Sequence, residues 1–187
     1  MRIQFFGDSY DVVKRFLLRS VAPEAEWAAF PMFSHGVTPE ELKAFEAFLG
    51  VQVVSPAPLS ATTDRAQHLA ARAKHRHIYL DPDTGIKLIS SNNRADSAKY
   101  IFAPELVSLC QENPERLLLV FDQSVPHGTK QTAKAMEKKL AHFRDAGIHG
   151  FAYLSHACFV VLSASKSTCS TAKANLLASG LPSSRLI

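Results

Sequence analysis

Two short apolar runs, each closing on an aspartate, constrain this chain more than any other feature. "HIYL" (77–80) ends at Asp81, and "RLLLVF" (116–121) ends at Asp122. A strand with one wet face alternates apolar and polar residues, whereas an unbroken apolar run lying between helical patterns suits a strand covered on both faces, as in parallel sheets. Helical patterns do surround them. Thr38-Pro39-Glu40-Glu41 supplies a cap, a first-turn proline and a capping-box glutamate, with Leu42, Phe45, Phe48 and Leu49 following at helical spacing before Gly50. A second helix is expected over 103–111. A third has Thr129 as its cap, Ala133, Met136, Leu140 and Phe143 as its apolar face, and Gly147 as its stop. "WAAFPMF" reads as a strand disturbed by Pro31, "VQVV" (51–54) as a short strand, and 171–179 as the last helix. "GFAYL" and "CFVVLSA" lie too close together for a crossover helix, so they are expected to pair as an antiparallel hairpin. The pattern predicts an α/β fold with a mostly parallel sheet and a C-terminal antiparallel hairpin.

At 187 residues the chain suits one domain, 1–187, with one sizeable core. No apolar run has the length of a membrane span and no signal-like segment opens the chain, so a cytoplasmic protein with no membrane partner is expected; nothing indicates its oligomeric state. Cys110, Cys158 and Cys169 are odd in number and lack metal-ligand spacing, which predicts reduced thiols. The net charge is +4. Basic residues concentrate in two expected helices, 65–77 and 130–144, and a nucleic acid is the partner such surfaces suit.

Ligands of parallel α/β sheets bind beyond the carboxyl ends of the strands, which directs attention to Gly7–Ser9, Asp81–Gly85 and Asp122–Ser124. "GDS" (7–9) after the strand-like "IQFF" is the first block of the SGNH hydrolases, whose serine is the nucleophile. Those enzymes also need an Asp-x-x-His, and no Asp here has a His three residues later. The better reading makes Asp8 a helix cap, places Asp11 at the positive end of the helix dipole, and buries Val12, Val13, Phe16 and Leu17.

A wider resemblance is carried by "GDSYDVVKR" (7–15) and "YLDPDTG" (79–85). The first is similar to the G-N-x-x-D-V-x-K-H segment that opens a family of ribosomal-RNA adenine N6-methyltransferases, and the second occupies the place of that family's D-P-P-Y motif. Both also resemble motifs of uncharacterised bacterial proteins that pair G-D-x-x-D-x-x-K with L-D-P-D-x-G. The resemblance implies a Rossmann-like three-layer α/β domain of the class I methyltransferase type and S-adenosylmethionine as cofactor. It places Gly7, Asp8, Asp11 and Lys14 beside that cofactor, with Asp81 accepting hydrogen bonds from a target amine and Asp83 next to it. Asp83 and Thr84 replace the motif's second proline and its aromatic ring, and "FPMFSHGVTPEE" holds one glycine where the cofactor loop normally has several.

The turn-forming preferences of Asp, Pro and Gly also account for "LDPDTGI" without any site. A metal reading stays open as well: Asp81, Asp83 and Asp122, with Glu105, are expected to be able to converge on Mg²⁺, as in a divalent-metal nuclease or phosphodiesterase, with Gln123 and His127 as further polar contacts. His156 is a candidate at the hairpin turn. A non-catalytic nucleic-acid-binding module that keeps only the basic faces is the third alternative.

Overall fold

The computed structural model describes residues 3, 6–58, 75–90, 98–126 and 128–187. The expected basic helix over 65–77 falls largely outside the described residues, as does His127. The chain runs α1 (Ser9–Val21), β1 (Trp27–Phe30), α2 (Pro39–Leu49), β2 (Val51–Val53), β3 (His77–Leu80), β4 (Gly85–Lys87), β5 (Tyr100–Phe102), α3 (Ala103–Glu112), β6 (Leu118–Phe121), α4 (Thr129–Asp145), β7 (His149–Leu154), β8 (Cys158–Ser163) and α5 (Lys166–Ala178). None of the described helices is long and apolar enough to cross a membrane.

Six strands form one sheet in the order β2-β1-β3-β6-β8-β7. The first four are mutually parallel; β8 is antiparallel to β6, and β7 is antiparallel to β8, so β7 points the same way as the parallel strands. The fold is a Rossmann-like α/β fold. β3 and β6 are buried on both faces, as their unbroken apolar sequences require. Successive strand side chains point to opposite faces. Ala29, Tyr79 and Leu119 therefore join the core under α1, α2 and α5, while Ile78, Leu80, Leu118 and Val120 join the core under α3 and α4.

Several boundaries differ from the sequence expectation. Residues Ile3 and Phe6 belong to a turn, with the Phe6 N–H donating to the Ile3 carbonyl, rather than to a strand. Pro31 ends β1 outright because it has no N–H to add to the ladder. The N-cap of α4 is Gly128, and Thr129 is already helical. α5 begins at Lys166, where Ser165 Oγ accepts the Thr168 N–H; the run of small and polar residues hid that first turn from a reading based on apolar spacing. The parallel pair β4·β5, absent from the sequence reading, forms a separate small sheet.

Candidate functional site

Asp8 caps α1 as expected, its Oδ1 accepting the N–H groups of Tyr10 and Asp11. Ser9 is the exposed first residue of that helix. Beyond this cap α1 departs from its apolar pattern. Val12 and Phe16 are 56% and 39% exposed, whereas Asp11, Lys14, Leu17, Leu18 and Val21 are buried. The expectation that Val12 and Phe16 help form the buried face is therefore corrected. The helix is rotated so that an acid and a lysine, rather than two hydrophobes, enter the protein.

The partner that makes this rotation tolerable is Asp81. Lys14 Nζ donates to Asp11 Oδ1 at 2.9 Å and to Asp81 Oδ2 at 2.8 Å. The Gly7 N–H donates to the other oxygen of Asp11 at 2.8 Å. Gly7 has φ of +89°, a left-handed conformation that glycine takes without a Cβ penalty. Burial works to lower the Lys14 pKa, but Asp81 and then Asp11 outweigh it through charge and hydrogen bonding, and the net shift is upward. Lys14 therefore stays protonated, bridging the two carboxylates.

Strand alternation explains what else reaches this cluster. Tyr79, Asp81 and Phe121 share the face that α1 covers. The Phe121 ring lies 5.0 Å from Lys14 Nζ. The Tyr79 hydroxyl is fully buried without a hydrogen-bond partner of good geometry, and burial together with Asp81 and Asp11 pushes its pKa well up, so it remains a neutral donor. Tyr10 stands edge-on to Phe121 and packs on His156, with ring centroids 5.9 Å and 4.9 Å away respectively. His156 in turn lines a cavity of about 340 Å³ together with Gln123, Thr132, Cys158 and Arg185. Tyr79, Tyr10, Phe121 and Arg185 were not singled out from sequence, although the phase of Tyr79 with Asp81 was available there. Met32, beyond the end of β1, has a φ of +46°, which is unusual for a residue with a side chain.

Asp122 belongs to a different cluster because it is in phase with Val120 and points to the opposite face of the sheet. There Lys139 Nζ donates to Asp122 Oδ2 at 2.5 Å, to Ser124 Oγ at 2.8 Å and to the Ile86 carbonyl at 3.1 Å. Asp122 Oδ1 also accepts the Ile86 N–H at 3.0 Å and the Ser124 hydroxyl at 2.7 Å. Glu105 caps α3 by accepting the Phe102 N–H at 2.8 Å, and Asp83 is exposed in the turn after β3. Asp81 and Asp122 are thus each paired with a lysine on opposite faces, and among the described residues no three acid, histidine or cysteine side chains are grouped as metal ligands. Gln123 Nε2 donates to the His156 carbonyl at 3.4 Å. All three cysteines are buried free thiols; burial pushes Cys110 up to about 12 and Cys158 and Cys169 up to about 11, which leaves them poor nucleophiles.

No protein-family model matches the chain, and no curated protein matches it either. The class of the protein therefore rests on the Rossmann-like α/β fold and on the paired Asp11–Lys14–Asp81 centre at the carboxyl end of its sheet.

Proposed function

We propose that this chain is a methyltransferase-like protein that binds nucleic acid, with its cofactor cleft in degenerate form. One observation carries the reading: the lysine of the first motif and the first aspartate of the second, 67 residues apart, meet at 2.8 Å inside the protein. An accidental pair of turn motifs has no reason to converge, and burying an ion pair costs desolvation that apolar residues would avoid. The strand order supports the same reading. The last strand, β8, lies inside β7 and runs against its neighbours, which suits the terminal hairpin that the class I methyltransferase resemblance implies.

S-adenosylmethionine is the cofactor that the resemblance implies, and the residues present do not fit it. Pro31, Met32 and Phe33 follow β1 as buried side chains, with Phe33 against Phe45 at a centroid distance of 5.8 Å, so bulk fills a loop that needs bare backbone. β2 leads into Val54 and Ser55, where adenosyl-binding Rossmann folds place a carboxylate for the ribose. Asp81 Oδ2 is engaged by Lys14 Nζ. What these residues do by themselves is fix α1 to the sheet mouth and present Tyr10, His156 and the cavity beside them.

A calorimetric titration with S-adenosylmethionine tests the degenerate cleft, with no saturable heat expected. Saturable binding at micromolar cofactor would overturn that part of the reading.

A further inference from the structure

A groove of about 940 Å³ runs along the sheet edge formed by β7, with α4 on one side and α5 on the other. Lys134, Lys138 and Arg144 line it from α4, and Lys166 and Lys173 from α5, against a single acid, Glu137. None of these five cations forms a salt bridge among the described residues. Lys173 rests over the Phe151 ring at 5.9 Å, and the other four are exposed.

Three of these charges, Lys134, Lys138 and Lys166, work against the stability of the helices that carry them, whereas Arg144, in the last turn of α4, is favoured by the helix dipole. Lys134 and Lys138 are four residues apart on α4, a like-charge spacing that destabilises a helix. Lys166 is the first residue of α5, at the end where the helix dipole is positive, and neither helix has an acid in its first turn. Protecting a sheet edge from aggregation takes a lysine or two rather than five converging cations.

We infer that this groove is a docking surface for the phosphodiester backbone of a nucleic acid. The inference rests on the nucleic-acid part of the function proposed above and assigns it to this edge. A negative ligand turns the uncompensated repulsion of the five cations into attraction. Lys134 to Arg144 spans about 15 Å of helix at 1.5 Å per residue, enough to follow roughly four nucleotides at 3.4 Å each. Of the two rings in the lining, Phe151 is buried and His149 half-buried, so neither offers bases an open stacking face and the surface reads backbone rather than sequence. A bilayer is a poorer occupant: the groove is concave, and the exposed large hydrophobes Val12, Phe16, Ile89 and Leu177 lie outside its lining.

The groove narrows the sequence expectation of a nucleic-acid partner for the basic helices 65–77 and 130–144. Lys139 is buried on Asp122 and is unavailable to phosphate, while Lys166 and Lys173, outside the two basic segments, contribute.

The test is anisotropy of a labelled mixed-sequence single-stranded RNA over a salt series, with the wild-type chain and with the variant carrying Lys134→Gln, Lys138→Gln, Lys166→Gln and Lys173→Gln. Wild type should show a log–log slope near −3.5, and the variant should lose about 0.7 of that steepness per lysine, with a matching loss of affinity. Lys43→Gln, outside the groove, should bind like wild type, and circular dichroism should show all variants folded. Wild-type binding that the fourfold variant retains unchanged overturns the groove and leaves the nucleic-acid reading standing. No wild-type binding at low salt overturns both. Lysine-dependent binding to phosphatidylserine vesicles without RNA binding overturns the proposal in favour of a membrane surface.

Discussion

Lys14 Nζ lies 2.8 Å from Asp81 Oδ2 and 2.9 Å from Asp11 Oδ1, with all three side chains almost wholly buried. Removing the lysine leaves two buried carboxylates facing each other. Lys14→Met should therefore cost about 3–5 kcal/mol in urea unfolding, and adding Asp11→Asn and Asp81→Asn to it should recover part of the loss. The folded pKa of Lys14 is raised above 10.5, so its contribution is fully present below that value and declines only as pH rises beyond it. A single-variant loss under 1 kcal/mol would show that the cluster is not a closed electrostatic unit.

The rotation of α1 gives an internal contrast between adjacent residues. Leu17 is 1% exposed and Phe16 39%. Leu17→Ala should cost about 2–5 kcal/mol as a core truncation, whereas the larger side chain lost in Phe16→Ala should cost well under half as much. Equal losses would place Phe16 in the core and undo the described helix rotation.

His77 provides the pH dependence. Its Nδ1 accepts the Leu117 N–H at 3.1 Å, and burial, then Arg76 and Arg116, lower its pKa from 6.5 to about 4. A lowered folded pKa means that the stabilisation is complete above pH 6.5 and disappears as pH falls towards 4. Unfolding free energy should drop through that window by at most about 1.4 kcal/mol per pH unit from this group. His77→Asn keeps an acceptor near Nδ1 without the titration, so its profile should be flatter; an unchanged slope would assign the effect elsewhere.

Gly85 opens β4 with φ of +135°, and a Cβ there would strike the Asp122 carboxylate while sitting 3.0 Å from the Asp122 Cα and the Gln123 nitrogen. Gly85→Ala should lower stability by about 2 kcal/mol or more, read as a fall in Tm, because both the backbone and the Asp122–Lys139 network must shift. A change within about 0.5 kcal/mol would mean that this corner yields freely.

Much of the fold was legible because "HIYL" and "RLLLVF", short apolar runs set between helical patterns, suit strands covered on both faces, and because the last two strands are too close for a crossover. The site was legible in part. Asp81 and Lys14 were reached through motif spacing, but the proposed convergence of Asp81 with Asp122 ignored strand phase. Asp81 is in phase with Tyr79 and Asp122 with Val120, and the register β3·β6 aligns Leu80 with Val120, so the two acids leave the sheet on opposite faces. The inward turn of Lys14 was hidden for another reason. Apolar periodicity assigns Val12 and Phe16 to the core, and only a long-range acid, invisible to a local window, reverses that preference.

The function proposed above requires that the chain bind nucleic acid independently of S-adenosylmethionine. Equilibrium binding of a labelled single-stranded RNA to the wild-type chain at low salt, with and without saturating S-adenosylmethionine, measures this. Saturable binding with the same Kd in both conditions is expected. RNA binding that is absent, or that arises only when the cofactor is added, would contradict it.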